Sequence, residues 1–293
     1  MKLAVCIKWV PDPAYPFRAG PDGIKIEGPG LAFMASPVDM AACETAVRLK
    51  EAAGGSVALY TAGVEAAEAG LRAGLALGAD EAVRVALDDA GLSGGIRIAQ
   101  YLAAAMSRAS TPDVVLCGVC SPDWGSGAVP AALAAHLGAT LITGVVSVCG
   151  SDVLEVQRRL DGGGRELLRV RLPAVLAVED GICEPRYPTL LARRRADRTP
   201  IATFTPAELG GAARARPLTL EALQAPRPLS TRLVAPPSEL TARERLRFIL
   251  AGGPDQSRAA RRLEGPVDAV VEQLLLFLQA NGVAINANRA LAS

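Results

Sequence analysis

The chain has 293 residues, half of them hydrophobic but only 4% aromatic, and its formal net charge at pH 7 is +1. This length allows one large domain or two, while the near-neutral charge argues against nucleic acid as a partner because it supplies little attraction to phosphates. The six cysteines are not spaced as a disulfide framework and no secretory leader pattern opens the chain, so we expect a reducing, cytoplasmic location.

Apolar runs alternate with helical patterns through the first half of the chain. Residues 16–30 predict an irregular excursion with a small hairpin, and residues 61–63 predict a small-residue turn. Buried strands are predicted at residues 3–7, 57–60, 82–85, 114–117 and 139–148, and helices at 36–53, 65–77, 96–107 and 131–137. This order predicts an α/β fold with a doubly wound, mostly parallel sheet, whose C-terminal strand ends share one edge.

The stretch 112–138 places a glycine loop between a buried strand and a helix. Gly125 and Gly127 leave backbone N–H groups free to point at one spot, and Pro130 suits a first helical turn. Backbone donors and the positive end of the helix dipole predict an anion site for a nucleotide phosphate. The alternative is that the loop is only a tight βα turn.

Other residues in this window predict structure more than chemistry. Cys117 and Cys120 form a CxxC pair, but no second pair accompanies it, so we interpret both as small buried residues and predict no metal site. The uncharged window 124–151 is interrupted by glycines, a proline and His136, so we expect no membrane insertion. No acid–base or nucleophilic constellation occurs, and no catalytic residue is predicted.

The pattern changes after residue 154. Residues 154–160 and 166–170 alternate around a glycine turn and predict a β-hairpin, and 173–178 predict another strand. A proline-rich arm follows at about 206–237, then a helix that starts at a capping box (Thr241 with Glu244) and a last apolar helix at 267–280. We therefore divide the chain into an α/β domain, 1–205, and an arm with a helical tail, 206–293, which packs on the core or on a partner subunit.

Several short motifs occur in the order found in a known family. They are Lys8-Trp-Val-Pro-Asp12, Ser36-Pro37, Glu44-Thr-Ala-Val-Arg-Leu-Lys-Glu51, Leu71-Arg72, Leu75-Ala-Leu-Gly-Ala-Asp80, Asp123-Trp-Gly-Ser-Gly-Ala-Val129, Asp161-Gly-Gly163, Leu172-Pro-Ala-Val175 and Glu184-Pro-Arg-Tyr-Pro188. Over roughly residues 1–210 the chain resembles the β subunit of electron transfer flavoprotein, the FixA-type family.

The resemblance implies a Rossmann-like, HUP-type nucleotide-binding domain that acts as a non-enzymatic electron carrier in an α/β heterodimer. The α subunit of that family holds the redox-active FAD, which it shares with the β subunit. The β subunit holds AMP, or a second FAD in electron-bifurcating members. The implied nucleotide-binding residues are Cys6, Ser36, Pro37, Val38, Asp39, Ala62, Asp123, Trp124, Gly125, Ser126, Gly127, Ala128, Val129 and Pro130. Because Trp124 and Pro130 replace glycines of the family's loop, and bifurcating members keep the fuller glycine loop, we predict AMP.

The resemblance also implies a recognition loop near residues 184–198 that docks on a flavin dehydrogenase, the electron donor. Electrons then pass to a quinone reductase or a similar acceptor. The docking residues are Tyr187, Pro188, Leu190, Leu191, Arg193 and Arg194, with Leu190 as the apolar anchor. The alternative for this segment is an ordinary helix N-terminus with a solvated basic face.

Two other functions remain open from the sequence. One is an adenine-nucleotide-binding protein of the same fold, either a universal-stress-like protein or an adenylyl-transferring enzyme. Against a ligase stands the absence of a Ser-Gly-Gly-x-Asp-Ser pyrophosphate loop. The other is a scaffold subunit that has lost its nucleotide.

Overall fold

The computed structural model describes residues 1–16, 18–20, 26–88, 94–151, 153–210, 236–250 and 263–280. The described strands are β1 (Lys2–Cys6), β2 (Trp9–Pro11), β3 (Arg18–Ala19), β4 (Ile26–Glu27), β5 (Phe33–Ala35), β6 (Ser56–Gly63), β7 (Glu81–Ala86), β8 (Val114–Gly118), β9 (Thr140–Gly150), β10 (Leu154–Arg159), β11 (Arg165–Val170), β12 (Ala174–Val178) and β13 (Ala202–Phe204). The described helices are α1 (Pro37–Ala53), α2 (Glu68–Leu77), α3 (Gly94–Ala109), α4 (Ala128–Leu137), α5 (Leu190–Arg198), α6 (Ala242–Leu250) and α7 (Val267–Ala280). By its contacts the chain divides into two units, Met1–Gln224 and Ala225–Ser293.

In the described part of the first unit, nine strands form one sheet in the order β11-β10-β9-β12-β8-β1-β6-β7-β13. Each strand from β9 through β12, β8, β1, β6 and β7 to β13 is parallel to its neighbours in that series. β10 and β11 form the antiparallel hairpin at the opposite edge, beside β9. The predicted α/β sheet and the predicted hairpin are therefore confirmed. Parallel strands place their C-terminal ends on one edge of the sheet, where open α/β folds bind their ligands.

Helices bury both faces of this sheet, which explains why its central strands are continuous apolar runs. Leu3 and Val5 of β1 pack in one core cluster with residues of α1 and α2. Ala4 and Cys6, on the opposite face of the same strand, pack in a second cluster with residues of α3 and α4. Fully burying a side chain of the size of Leu3 or Val5 stabilises the fold by roughly 1.5–3 kcal/mol.

The structure differs from the sequence predictions in several places. Residues 61–63 are not a turn, because β6 continues to pair with β7 as far as Gly63 and Ala86. Residues 65–67 form a 3₁₀ turn before α2. The short edge strand β13 was not predicted, and β12, whose place in the sheet the sequence did not indicate, lies between β8 and β9. Cys117 is buried as expected, but Cys120 is exposed two residues after the end of β8, so its prediction as a buried residue is wrong.

The excursion between β1 and α1 and the C-terminal helices follow the sequence patterns. β2 pairs with β5 and β3 pairs with β4, which confirms a small hairpin. In the second unit, Thr241 Oγ1 donates to Glu244 Oε2 at 2.7 Å and accepts from Glu244 N at 3.4 Å, so the capping box of α6 is confirmed. The last helix has the predicted bounds, 267–280. Most of the proline-rich arm, at 211–235, lies outside the described residues. Within the described residues, no helix is long and apolar enough to cross a bilayer.

Candidate functional site

One buried carboxylate joins three chain segments at the C-terminal edge of the sheet. Asp39, in the first turn of α1, accepts a hydrogen bond from Lys8 N at 3.0 Å and another from Gly118 N at 2.8 Å. Ser36 N donates to Lys8 O at 2.9 Å. These bonds hold the end of β1, the end of β8 and the start of α1 together, and satisfy backbone donors that have no partner in the strands.

The packing around Asp39 leaves no room for a side chain at Gly118. A Cβ atom there would lie 2.6 Å from Asp39 Oδ1 and would also overlap Val38 Cγ1. Burial raises the pKa of Asp39 to about 6, although the N–H donors of Lys8 and Gly118 act in the opposite direction by stabilising the charged form. The floor of the site is therefore tightly packed and carries a carboxyl group whose pKa is well above the ordinary value for aspartate.

Lys8 also connects this floor to the glycine loop. Its ammonium group donates to Asp123 Oδ1 at 2.7 Å and to Ser121 Oγ at 3.3 Å. Burial alone would raise the pKa of Asp123, but the hydrogen bonds from Lys8 and Ser121 outweigh it and lower that pKa. The only acidic side chain of the segment 121–130 is thus paired with a cation, which reduces its repulsion of a phosphate.

The loop itself has the geometry that its glycines predict. Gly125 and Gly127 have φ values of +62° and +59°, in the left-handed region that favours glycine. Gly127 immediately precedes α4, whose first turn contains Pro130 as predicted. Among the described residues, no protein acceptor pairs with the backbone N–H groups of Ser126 and Gly127. Two donors at a helix N-terminus form an arrangement that suits an anion.

A buried hydroxyl provides an independent indication of a missing polar partner. Ser36 is fully buried (0% exposed), and within the described residues its Oγ makes no hydrogen bond of regular geometry, although it lies near enough to the Asp39 carboxyl to help lower the pKa of that group. Buried hydroxyl groups are nearly always satisfied in native proteins, so this atom fits a site completed by a polar ligand. The donor set of Ser36 and the loop is compatible with the hydroxyl and phosphate oxygens of an adenine nucleotide.

The remaining implied nucleotide-binding residues lie at the same edge. Cys6 ends β1 and is buried, and burial, followed by the charge of Asp39, raises the pKa of its thiol, so it stays a neutral thiol. Ala62 is half-buried in β6, two residues beyond Tyr60, which pairs with Cys6 of β1. Trp124 is 64% exposed at the tip of the loop. The structure thus gathers the implied set along one edge, with Pro37, Val38, Ala128 and Val129 in the first turns of α1 and α4.

The implied docking residues form a second set. Thr189 Oγ1 accepts from Ala192 N at 3.2 Å and caps α5. Residues 190–198 therefore form a helix instead of a loop. This agrees with the alternative interpretation of the segment, an ordinary helix N-terminus with a solvated basic face. Tyr187 is 92% exposed and Leu190 66% exposed, and Leu191, Arg193 and Arg194 are exposed beside them. An exposed aromatic and two exposed leucines with a basic rim suit protein docking.

Several residues that shape both sets were not singled out from the sequence. Lys8 and Ser121 hold the glycine loop, and Arg186 is held by Glu44 and Glu51 of α1. Four of these five residues lie inside the family motifs given above, so those motifs already pointed to them. Their pairing partners lie more than a hundred residues away in sequence, and that pairing is visible only in the fold. Among the described residues, no group of three or more His, Cys, Asp or Glu is placed to hold a metal ion.

Comparison with known proteins gives one consistent result. Residues 30–209 match the family model described as the electron transfer flavoprotein domain. The chain is 34% identical over 220 residues to the protein named FixA of Rhizobium meliloti, covering 72% of this chain and 74% of the relative. It is 34% identical over 180 residues to electron transfer flavoprotein subunit beta of Bacillus subtilis, covering 60% and 69%. It is 30% identical over 193 residues to the acryloyl-CoA reductase electron transfer subunit gamma of Anaerotignum propionicum, covering 65% and 72%.

Proposed function

Because this chain belongs to the electron transfer flavoprotein family, we propose that it is the β subunit of a heterodimeric electron carrier. Its role is electron transfer, and the adenylyl-transferring and stress-protein alternatives are not favoured by the relatives, several of which are named electron transfer subunits. The observation that carries the proposal is the match over residues 30–209, which contains the Ser36–Asp39 turn, the glycine loop and the Glu184–Pro188 motif.

The second part of the proposal is a bound adenine nucleotide, AMP, at the C-terminal edge of the sheet. It is supported by the buried Ser36 hydroxyl, which makes no regular hydrogen bond to the protein, and by the open N–H groups before α4. Lys8 neutralises Asp123 and leaves those N–H groups to meet a phosphate. None of these groups is placed to transfer a proton, so the nucleotide serves as a fixed part of the structure.

The redox cofactor in this proposal is an FAD held mainly by the α subunit, and it supplies the electron-accepting and electron-donating chemistry when bound. The residues of this chain supply burial, positioning and docking. Leu190 and Leu191, with Tyr187 and the arginines beside them, form the surface for a flavin dehydrogenase as electron donor. A quinone reductase or similar protein would be the acceptor. Six free cysteines agree with our proposal of a cytoplasmic, reducing location.

Co-expression with the α subunit tests this function. We expect a yellow heterodimer whose denatured extract contains one FAD and one AMP per pair of subunits, and whose flavin is reduced by a flavin dehydrogenase. Two FAD per heterodimer would replace AMP with a second flavin. A stable, flavin-free homodimer that does not bind the α subunit would contradict the electron-carrier function.

A further inference from the structure

A nearly inaccessible carboxylate contacts Arg186, the residue directly before the docking residue Tyr187. The side chain of Glu44, in α1, is only 1% exposed. Its Oε1 accepts from Arg48 Nε at 2.7 Å, and its Oε2 accepts from Arg186 Nε at 2.9 Å and from the Arg186 backbone N at 3.2 Å. Burial alone would raise the pKa of Glu44, but these hydrogen bonds lower it, so the group is charged and needs its cationic partners.

Arg186 uses the rest of its guanidinium group to reach about two turns further along α1. Its Nη1 donates to Glu51 Oε1 at 2.5 Å and its Nη2 to Glu51 Oε2 at 2.8 Å, while Nε and, at 3.1 Å, Nη2 also donate to Glu44. A planar guanidinium can bridge two carboxylates in this way, whereas the three donors of a lysine ammonium all lie on one nitrogen atom. Glu44 and Glu51 are seven residues apart on α1, so the bridge fixes both the position and the direction of the chain at Arg186.

Other contacts fix the chain on both sides of Arg186. Before it, Arg48 Nη2 donates to Glu184 O at 3.1 Å and Cys183 Sγ donates to Ala41 O at 3.3 Å. After it, Arg72 Nη1 donates to the carbonyl oxygens of Ala196, Asp197 and Thr199 at 2.7, 3.0 and 3.3 Å, and so satisfies the C-terminal end of α5. The exposed residues Tyr187, Leu190 and Leu191 stand between these two anchored points.

We propose that Arg186 is a positioning residue for electron transfer, because its bridge between Glu44 and Glu51 holds the docking residues in the arrangement that a partner protein recognises. Arg186 does not itself contact the partner in this proposal, which rests on the docking function proposed above. α5 is only nine residues long, and an isolated helix of that length is marginal in water. Tertiary contacts must therefore hold it, and ordering it before the encounter removes that cost from binding.

The test compares five variants of the complete α/β heterodimer (Arg186→Gln, Arg186→Lys, Glu51→Gln, Arg158→Gln and Leu190→Ala), with a purified flavin dehydrogenase that has first been shown to reduce the wild type. Arg186→Gln removes the bridge, and Glu51→Gln removes only its exposed half, since the Glu51 side chain is 51% exposed. Arg158→Gln is the control, because Arg158 pairs with Glu166 at 2.6 Å in the hairpin and its side chain is as exposed as that of Arg186. The measurements are KM for the heterodimer, kcat, FAD and AMP content, and tryptic cleavage after the arginines of α5.

We expect Arg186→Gln to raise KM about tenfold, the factor that roughly 1.4 kcal/mol of lost preorganisation produces. The kcat and both cofactor contents should stay at wild-type values, and cleavage within residues 193–195 should become faster. Glu51→Gln should raise KM by about two- to threefold, Arg186→Lys should fall between the two, and Arg158→Gln should change nothing.

Three results would overturn the proposal. If Leu190→Ala raises KM but Arg186→Gln leaves KM and cleavage unchanged, the docking function stands and the positioning role is wrong. If Arg186→Gln lowers kcat or the cofactor content as well as raising KM, its effect is a general loss of structure. Wild-type kinetics for both Leu190→Ala and Arg186→Gln would remove the docking assignment itself, and the positioning role with it.

Discussion

Replacing Leu190 by alanine separates docking from every other role of this chain. Leu190 is 66% exposed in the first turn of α5, so it contributes little to the core and its surface is available to a partner. The side chain loses three carbon groups in the change. At roughly 0.8 kcal/mol for each fully buried group, and with two thirds of the side chain still to be buried, docking should weaken by about 1.6 kcal/mol. That is a change of about 15-fold in affinity.

The assay is steady-state reduction of the heterodimer by a flavin dehydrogenase, with the heterodimer as the varied substrate. We expect kcat/KM to fall by about 15-fold through KM, while the flavin spectrum and Tm remain those of the wild type. Leu167→Ala is a matched control, because Leu167 is 67% exposed but lies in β11, on the hairpin. Equal kinetics for the two variants would show that Leu190 is not an anchor.

Three further predictions concern the nucleotide edge. Gly118→Ala should lower the stability of the heterodimer by about 1–3 kcal/mol and reduce its AMP content, because the new Cβ would overlap Val38 and Asp39. Ser36→Ala should leave Tm nearly unchanged but reduce the AMP retained after gel filtration, because the buried hydroxyl makes no regular hydrogen bond to the protein and acts only weakly on the Asp39 carboxyl. Asp39→Asn should change the pH dependence of unfolding. The pKa of Asp39 in the wild type rises from 3.8 to about 6 on folding, so the folded wild type keeps a proton that the unfolded chain has released. The wild type should therefore lose roughly 2.5 kcal/mol of stability relative to the variant as pH rises from about 4 to 7.

Each of these has a result that would contradict it. Gly164→Ala is the control for Gly118→Ala, since Gly164 has a φ of −62° and room for a Cβ; similar losses in both would point to a general effect of the added methyl group. For Ser36→Ala, full retention of AMP would show that the hydroxyl does not contact the nucleotide. For Asp39→Asn, a stability difference that stays constant across denaturant titrations at pH 4.5, 5.5 and 7 would mean that Asp39 does not titrate in that range.

Local sequence signals were reliable wherever a single short segment decides the outcome. The strands β1 and β8 are apolar on both faces, and Gly54, Gly78 and Gly138 end their helices as expected. The capping box at Thr241 and the bounds of α7 also follow from neighbouring residues. Hydrophobic periodicity and caps act within one or two turns of the chain, so they can be predicted without knowing the fold.

Local signals failed where pairing with a distant strand decided the outcome. Residues 61–63 have the composition of a turn, but hydrogen bonds to β7 keep them in the strand. The three-residue strand β13 forms because β7 offers it an unpaired edge, which no pattern within residues 202–204 announces. β12 follows the hairpin in sequence but pairs with β8 and β9, so the sheet order is a tertiary choice.

For the candidate site, the strand pattern was enough to predict that the ends of β1, β6 and β8 meet at one edge, because parallel strands joined by helices must place their C-terminal ends together. The glycine loop before α4 also follows from its own residues, whereas the Ser36–Asp39 turn and the docking role of Leu190 came from the family resemblance. How these pieces are held together is visible only in the folded protein. Asp39 meets Gly118, Lys8 meets Asp123, and Glu44 meets Arg186 across 79, 115 and 142 residues of sequence. Such pairs depend on burial and on the mutual position of whole elements, and these exist only once the sheet has formed.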